Sequence, residues 1–226
     1  MPYLEYDKVD EKTARRMRSI LEKSYAAYWK KKRTFDVIVT GLLLALLILP
    51  MLLLALIIWL DDPHGSPFYK QVRIGRHGKP FLMYKFRSMY VDADKRKAEL
   101  MAKNEMDGPV FKMKNDPRIT RVGRIIRKCS IDELPQLFNV FKGNMSLVGP
   151  RPPLPGETAE YTDYDKLRLL VTPGITCTWQ IAPRRNDMPF SKWVEMDLTY
   201  IENRTTLLDI KIILKTPIAM LKATGR

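Results

Sequence analysis

The chain has 226 residues, a length that suits one domain of moderate size with an appendage, and its net charge is +14. This excess of positive charge favours an anionic partner, which could be a nucleic acid, an acidic membrane surface or a phosphorylated substrate. The two cysteines, Cys129 and Cys177, form no CxxC pair, and both histidines lie in turns rich in Gly and Pro. A zinc site and a triad built on histidine are therefore disfavoured.

Residues 1–34 predict a basic amphipathic helix. Met17, Ile20, Leu21, Tyr25 and Tyr28 recur at helical spacing, and basic residues occupy the other face. The pattern suits an interfacial helix that lies on a membrane surface. The alternative is a helix that packs on the protein's own core.

Residues 35–60, "FDVIVTGLLLALLILPMLLLALIIWL", form a hydrophobic segment without a charge from Val37 onward. Such a run is long enough to cross a bilayer core of roughly 30 Å. Pro50 lies near its middle, where proline removes a backbone hydrogen bond and can break the helix. Neither arm alone crosses the bilayer, so a helix broken at Pro50 would enter the membrane and return. A kinked helix that spans the bilayer is the alternative.

The charges that flank this segment favour the re-entrant arrangement. "KKKR" at residues 30–33 marks the upstream side as cytoplasmic by the positive-inside rule. The downstream flank is basic as well, with Lys70, Arg73 and Arg76. Both flanks therefore favour the same side of the membrane.

Residues 61–226 predict one α+β domain in which helices dominate. A β-hairpin is expected within residues 68–89, around a turn from Gly75 to Gly78. Helices are expected at residues 92–106, at 157–171 and from about residue 206, with Pro217 interrupting the last. No βαβ alternation is visible, so a doubly wound parallel sheet is disfavoured.

The stretch "SIDELPQ" places two adjacent carboxylates, Asp132 and Glu133, at a predicted helix start. Ser130 and Glu133 have the spacing of a capping box, and a plain helix cap is one interpretation. An ionised Asp is also a nucleophile toward phosphorus and an oxygen ligand for Mg²⁺. Cations accompany the pair: Arg118, Arg121, Arg124, Arg127, Lys128 and, in "VGPRP", Arg151. Several cations close in sequence to an acidic pair favour phosphoryl transfer as the chemistry of this stretch.

Four stretches resemble the bacterial sugar transferase family, the monotopic polyprenyl-phosphate phosphoglycosyl transferases. They are "FRSM", "RITRVGRIIRKCSIDELPQLFNVFKGNMSLVGPRP", "TPGIT…WQ…RRND" and "DLTYIENRTTLLDIKIILKT". The resemblance runs from about Lys32 to Thr216 and implies a monotopic membrane protein. Such a protein has a Pro-broken re-entrant helix, interfacial amphipathic helices and a cytoplasmic catalytic domain at residues 61–226. The chain length resembles that of the family's small members, without the multi-span module of larger relatives.

The resemblance implies transfer of a sugar-1-phosphate from a UDP-sugar to undecaprenyl phosphate, giving undecaprenyl-diphospho-sugar and UMP. This is the first membrane step in the synthesis of an exopolysaccharide, capsule, O-antigen or glycoprotein. It also implies ping-pong kinetics, Mg²⁺ as cofactor, and the cytoplasmic face of the inner membrane, with its anionic leaflet, as location.

Site residues follow by position in the family motifs. Asp132 would be the nucleophile and Mg²⁺ ligand, and Glu133 its catalytic partner. The phosphate- or substrate-binding positions are Lys85, Arg87, Arg127, Arg151, either Arg184 or Arg185, and Asp197. Family members often break the membrane helix at a Ser-Pro pair, whereas this chain has Leu49-Pro50, which leaves open what satisfies the freed carbonyl.

A membrane-anchored basic adaptor that binds nucleic acid or anionic lipid is the rival interpretation. No helix-turn-helix, RNP or zinc signature supports it, so no nucleic-acid partner is expected. A family member that serves as an inactive scaffold is a third possibility, disfavoured by the intact Asp132-Glu133 pair. The transferred sugar, the glycan pathway and the oligomeric state, a homodimer included, stay open.

Overall fold

The structure is a computed structural model that describes residues 9–22, 26–100, 116–183 and 187–222. Tyr25, the end of the predicted helix 92–106, Arg184 and Arg185 lie outside these ranges. The helices are α1 (Glu11–Glu22), α2 (Ala26–Asp61), α3 (Ala93–Leu100), α4 (Arg121–Lys128), α5 (Gln136–Lys142), α6 (Pro155–Ala159), α7 (Asp163–Lys166), α8 (Phe190–Asn203) and α9 (Thr206–Lys222). The strands are β1 (Phe68–Ile74), β2 (Pro80–Phe86), β3 (Ser146–Val148) and β4 (Gly174–Thr176), and short 3-10 turns cover Arg76–Gly78, Ile131–Glu133 and Leu167–Leu170. The predicted helix-dominated α+β class is confirmed.

The predicted hairpin is present as the antiparallel pair β1 and β2, in which Val72 lies opposite Leu82. Its turn uses two left-handed residues, His77 at φ 59° and Gly78 at φ 73°. A second sheet, in which β3 pairs with β4 in parallel, was not predicted. Its strands have three residues each, which is too short for an alternating pattern to be visible.

The hydrophobic segment forms one long helix, α2, which begins upstream of residue 35 and runs through Pro50 without ending there. The helix therefore does not end at Pro50, and the predicted re-entrant geometry stays a prediction. Proline removes only its own N–H, which would bond to the carbonyl of Leu46, and the bonds on either side remain. Beyond the proline, Met51 and Ile58 are buried against α4 and the hairpin, and this packing joins the second arm of α2 to the rest of the protein. Similarly, α9 continues through Pro217.

The N-terminal helix α1 packs on the protein's own core, the alternative left open by its periodicity. Met17 and Ile20 are each 1% exposed within the main hydrophobic cluster. Arg16 forms ion pairs with Glu195 at 2.7 Å and Glu202 at 2.9 Å, both on α8. The described apolar face of α1 is therefore buried in the protein's core, and contact of this helix with a membrane surface stays a prediction.

The predicted helix 157–171 is divided into α6, α7 and the 3-10 turn Leu167–Leu170. Thr162 is the N-cap of α7, because its hydroxyl oxygen accepts a hydrogen bond from the backbone N–H of Asp165 at 3.2 Å. Capping of this kind satisfies a helix N-terminus and fixes where α7 begins.

Both ends of α2 bond to the rest of the chain. Near its start, Lys32 Nζ lies 2.7 Å from Asp209 Oδ2, and the hydroxyl of Tyr200 donates to Asp209 Oδ1 at 2.6 Å. At its end, the carboxylate of Asp61 accepts a hydrogen bond from the backbone N–H of Val122 at 3.2 Å. The helix is thus fastened at both ends to the body that carries α4 and α9.

Between these ends, α2 is long and apolar enough to cross a membrane. Large apolar side chains on its outer face stay exposed, among them Ile38, Leu42, Leu46, Leu49, Leu53, Leu56 and Leu60. A second exposed stripe follows α9 through Leu207, Ile210, Leu214 and Ile218. Contiguous apolar surface of this extent marks a contact with a membrane or another protein.

Candidate active site

The Asp132-Glu133 pair lies on the 3-10 turn between α4 and α5, and the predicted capping box is wrong. Ser130 adopts the left-handed conformation, φ 52° and ψ 22°, and its side chain makes no capping hydrogen bond. A capping residue requires extended backbone, so the hydroxyl cannot serve the turn from there. Helix α5 begins only at Gln136, after Pro135. The two carboxylates are therefore not used to cap a helix.

Asp132 is buried, with 7% of its surface exposed. Burial raises the pKa of its carboxyl to about 6, and the negative charge of Glu133 acts in the same direction. The positive charges of Lys85 and Arg127 oppose this shift. A carboxyl in such surroundings ionises near neutral pH and is poorly solvated once ionised, which suits a nucleophile.

Glu133 differs from its neighbour because cations contact it directly. Lys85 Nζ lies 2.8 Å from Glu133 Oε1, and Arg151 Nη1 lies 3.8 Å from the same oxygen. Although burial opposes ionisation, Lys85 and Arg151 lower the pKa of Glu133 to about 2. The pKa values of two adjacent carboxyls are thus shifted in opposite directions, up for Asp132 and down for Glu133. Such a difference is typical of carboxyl pairs whose members have different roles in a reaction.

The hairpin is held so that Lys85 reaches Glu133. The side-chain amide of Asn139 on α5 accepts from the backbone N–H of Tyr84 at 2.9 Å and donates to the carbonyl of Leu82 at 2.7 Å. These bonds occupy backbone groups of β2 on both sides of Met83. Because α5 directly follows the turn that carries Glu133, Asn139 fixes β2 relative to that turn.

A small cavity opens beside Glu133, between the hairpin, α5 and the segment after β3. Its lining comprises Arg73, Met83, Lys85, Glu133, Gln136, Arg151, Pro152, Gly174 and Ile175. Three of these side chains are cationic and one is a carboxylate. Asp132 precedes Glu133 on the same turn but is not among the described residues that line the cavity. The excess of positive charge suits an anionic ligand such as a phosphate group.

Arg73 is a cavity residue that the motifs did not identify. It is 6% exposed, and its Nη1 donates to the carbonyl of Pro152 at 3.0 Å. Burial, together with the charge of Arg151, lowers the pKa of Arg73 to about 10. Strand alternation contained the signal, because Arg73 shares its face of β1 with Tyr69, which lies opposite Lys85.

The predicted cations do not all converge on the pair. Arg127 is exposed in the last turn of α4, yet its charge influences the pKa of Asp132. Arg118 is buried and forms an ion pair with Asp116 at 2.6 Å, so it stabilises the segment before α4. Arg121 and Arg124 are exposed on α4.

The structure gives Arg87 a partner outside the cavity. Its Nη1 lies 3.2 Å from Asp62 Oδ2, and its Nη2 donates to the carbonyl of Asp62. Since Asp62 directly follows α2, this buried pair joins the end of the long apolar helix to the end of the hairpin. Lys85, two residues earlier, is the member of the predicted basic pair that reaches the cavity.

Asp197 lies in a separate buried cluster on α8. It is 1% exposed and pairs with Arg168, while Trp179 and Trp193 stack nearby with ring centroids 4.3 Å apart. Burial raises the pKa of Asp197, although Arg168 opposes this. Its described contacts are those of a structural ion pair. The substrate positions predicted at Arg184 and Arg185 lie outside the described residues.

A metal site at the pair would need ligands from a substrate. Within the described residues, no three His, Cys, Asp or Glu side chains cluster to hold an ion. Mg²⁺ commonly takes one or two carboxylates together with substrate phosphates and waters. Two adjacent carboxylates, Asp132 and Glu133, beside a cavity suited to phosphate fit that donor set, whereas they do not make a closed zinc site.

Comparisons with known proteins agree with the motifs. The bacterial sugar transferase family matches residues 27–223. The chain is 42% identical over 228 residues to the galactosyl transferase CpsE of Streptococcus agalactiae serotype III, covering 98% of this chain and 50% of that protein. It is 44% identical over 201 residues to the undecaprenyl-phosphate galactose phosphotransferase of Salmonella typhimurium, covering 86% and 41%. It is 39% identical over 199 residues to the exopolysaccharide production protein ExoY of Sinorhizobium fredii, covering 86% and 87%.

The chain therefore spans half or less of the first two of these relatives and most of the third. The family match extends from the first turn of α2 to the end of α9, so it includes the long apolar helix, the hairpin and the Asp132-Glu133 turn. On this extent of similarity, the chain belongs to the bacterial sugar transferase family.

Proposed function

We propose that this protein transfers a sugar-1-phosphate from a UDP-sugar to undecaprenyl phosphate, giving undecaprenyl-diphospho-sugar and UMP. The observation that carries the proposal is the Asp132-Glu133 turn beside a cavity lined by Arg73, Lys85 and Arg151. The names of the relatives support it, since one is an undecaprenyl-phosphate galactose phosphotransferase and another an exopolysaccharide production protein. The step would begin the assembly of a bacterial surface glycan or glycoprotein.

In the first half-reaction, a carboxylate oxygen of Asp132 attacks the phosphorus that bears the sugar. The bond from that phosphorus to the bridging oxygen breaks, and UMP leaves with the bridging oxygen. In the second half-reaction, a phosphate oxygen of undecaprenyl phosphate attacks the same phosphorus and displaces the Asp132 carboxylate. The raised pKa of Asp132 supports this role, because a carboxylate that is poorly solvated is a stronger nucleophile.

The neighbouring side chains take the supporting roles. Lys85 and Arg151 contact Glu133 and would also stabilise negative charge on the phosphoryl oxygens during transfer. Glu133, whose lowered pKa makes it a weak base, would act by holding Lys85 and Arg151 beside the reacting phosphorus. Arg127 would contribute charge from the last turn of α4. Asp132 and Glu133 would hold Mg²⁺, which would supply further charge stabilisation when bound.

We place the catalytic domain at the cytoplasmic face of the inner membrane, with α2 inserted as a re-entrant segment. Lys32 bonds to α9 and Asp61 to α4, so both ends of the segment bind one body. A helix that crossed the bilayer would carry its ends to opposite sides, which favours an arrangement in which it does not cross. The basic flanks and the cytoplasmic origin of nucleotide sugars support the same side. The exposed stripe on α9, with Lys211 and Lys215, would lie along the anionic leaflet.

UMP release tests the function. Detergent-solubilised protein with Mg²⁺ and undecaprenyl phosphate should release UMP from at least one member of a panel of UDP-sugars. The release should stop when Mg²⁺ is chelated and in Asp132→Asn. Release that persists in Asp132→Asn would remove the proposed mechanism.

Site-directed labelling tests the topology. In a Cys129→Ser background, Lys30→Cys and His64→Cys place thiols at exposed positions on either side of the apolar segment, and the remaining Cys177 is buried. A membrane-impermeant maleimide should label both variants in inside-out vesicles and neither in right-side-out vesicles. Labelling of the two variants in opposite vesicle orientations would show that α2 spans the membrane.

A further inference from the structure

Arg73 carries a buried positive charge that has no carboxylate within ion-pair distance among the described residues. Its Nε and Nη2 donate to Gln71 Oε1 at 3.2 and 2.9 Å, and its Nη1 donates to the carbonyl of Pro152 at 3.0 Å. All of these acceptors are neutral. Buried charges in proteins are usually paired, because leaving water is costly for an ion. An arginine in this state suits a site that an anion completes.

The nearby carboxylates are already engaged. Glu133 contacts Lys85 at 2.8 Å and Arg151 at 3.8 Å. Glu157 accepts a hydrogen bond from the backbone N–H of Leu154 at 2.8 Å and influences Arg73 only from a distance. The three cations of the cavity lining therefore face a single lining carboxylate, Glu133, which leaves two positive charges uncompensated.

The guanidinium of Arg73 has the donors that such a ligand needs. A guanidinium has five N–H donors, and the contacts with Gln71 and Pro152 use three of them. One N–H on each terminal nitrogen is left over. Two N–H groups of one guanidinium form the fork that binds two oxygens of a phosphate at once.

We propose that Arg73 binds a phosphoryl group of a substrate through this fork, next to Lys85 and Arg151, with Gln71 as the positioning residue that orients it. That the phosphoryl group belongs to a substrate rests on the proposed function. Both substrates carry the required chemistry, the UDP-sugar in its diphosphate and undecaprenyl phosphate in its headgroup. The Arg73 site itself is inferred from burial, charge and hydrogen bonding.

Inorganic pyrophosphate tests the site without turnover. Its binding to the solubilised full chain is measured as a rise in Tm with ligand concentration, since a ligand that binds the folded state stabilises it. Arg73→Gln should weaken pyrophosphate binding about ten- to a hundredfold, as expected for lost charge-assisted hydrogen bonds, and Arg73→Lys should recover part of it. Lys70→Gln, an exposed cation on the outer face of the same strand, is the matched control and should bind as the wild type does.

A purely structural role for Arg73 predicts different results. If Arg73 only holds the Pro152 segment, Arg73→Gln lowers the Tm of the ligand-free protein and leaves pyrophosphate affinity unchanged in what folds; that outcome overturns the proposal. Should Arg73→Gln fail to fold, Gln71→Met decides. It keeps the charge and removes the orienting acceptor, so weaker pyrophosphate binding supports the proposal and unchanged binding overturns it.

The KM values for the two substrates show which phosphoryl group Arg73 binds. An increase of the KM for the UDP-sugar alone assigns Arg73 to the donor diphosphate, and an increase for undecaprenyl phosphate alone assigns it to the lipid headgroup. Turnover with both constants unchanged in Arg73→Gln overturns the inference and leaves the proposed function intact. Absence of turnover with every UDP-sugar in the wild type would count against the proposed function, whereas the pyrophosphate result would still decide whether Arg73 binds phosphate.

Discussion

Lys85 Nζ lies 2.8 Å from Glu133 Oε1, and the two side chains are only 16% and 15% exposed. This contact connects the hairpin to the turn that carries the candidate nucleophile. It keeps Glu133 ionised, and that charge adds to the effect of burial in raising the pKa of Asp132. One cation therefore influences the protonation of both carboxyls.

The first prediction concerns pH. Asp132 must be ionised to attack, and its pKa is raised to about 6. In the metal-free protein the Asp132 carboxyl should therefore titrate near pH 6. Bound Mg²⁺ should lower that pKa, because a cation favours the ionised form, so the first turnover of UMP release should decline along an acid limb that lies below pH 6. Infrared titration of the carboxyls in chelator, with Asp132→Asn to identify the signal, measures the metal-free value, and a pKa of about 4 there would contradict the assignment.

Removal of Lys85 should move that pH dependence. The positive charge of Lys85 lowers the pKa of both carboxyls, so in Lys85→Met the acid limb should shift to higher pH. The rate at pH 7 should drop about a hundredfold or more, as for the loss of a group that acts in proton transfer or charge stabilisation. Lys85→Arg, which keeps the charge, is the control and should leave the acid limb near its wild-type position. An unshifted limb in Lys85→Met would contradict the assigned electrostatics.

Asp132→Asn should stabilise the protein while it abolishes turnover. The folded pKa of Asp132 lies above its value in an unfolded chain, so the ionised carboxylate destabilises the folded state at pH 8, by about 3 kcal/mol. Asn has nearly the same shape and no charge, and the Tm should rise at pH 8 with a gain that shrinks as the pH falls below 6. Calorimetry in the presence of a chelator measures this. Glu160→Gln, which replaces an exposed carboxyl, is the control and should show no such pH-dependent gain. A lower Tm in Asp132→Asn than in the wild type at pH 8 would be incompatible with a raised pKa of Asp132.

The pair of Arg87 and Asp62 offers a test of what Arg87 does. Arg87 was expected to bind substrate, yet its described contacts are with Asp62 at the end of α2. If the role is structural, Arg87→Met and Asp62→Asn should lower the Tm by a similar number of degrees. The two variants should also lose a similar share of the rate, without a change in the KM for the UDP-sugar. If Arg87 binds substrate, only Arg87→Met should raise that KM. Thermal unfolding and steady-state kinetics on both variants distinguish the two roles.

Local sequence patterns were sufficient for part of this picture. The hairpin was predictable from two β-rich runs around a Gly-bounded turn. The Asp132-Glu133 pair and the cation Lys85 were predictable from motifs, and the structure brings Lys85 into contact with Glu133. The hydrophobic segment was visible from its composition alone.

Other features depend on contacts between distant residues. A helix on the membrane and a helix on the core share one periodicity, so α1 could not be assigned before Met17 was found buried. The left-handed conformation of Ser130, which prevents a capping box, lies at the junction of α4 and the 3-10 turn, and the S-x-x-E spacing does not reveal it. Arg73 lies outside the stretches that resemble the family, and its place in the cavity becomes visible once β1 is paired with β2.

The proposed mechanism depends on a covalent intermediate on Asp132, which intact-mass spectrometry detects. The solubilised protein is mixed with Mg²⁺ and a UDP-sugar that supports turnover, without undecaprenyl phosphate. We expect a mass increase of one phosphosugar per chain and release of one equivalent of UMP. The adduct should disappear when undecaprenyl phosphate is added and should not form in Asp132→Asn. UMP release that requires undecaprenyl phosphate, with no adduct at any time, would instead indicate direct transfer between the two substrates and exclude the Asp132 intermediate.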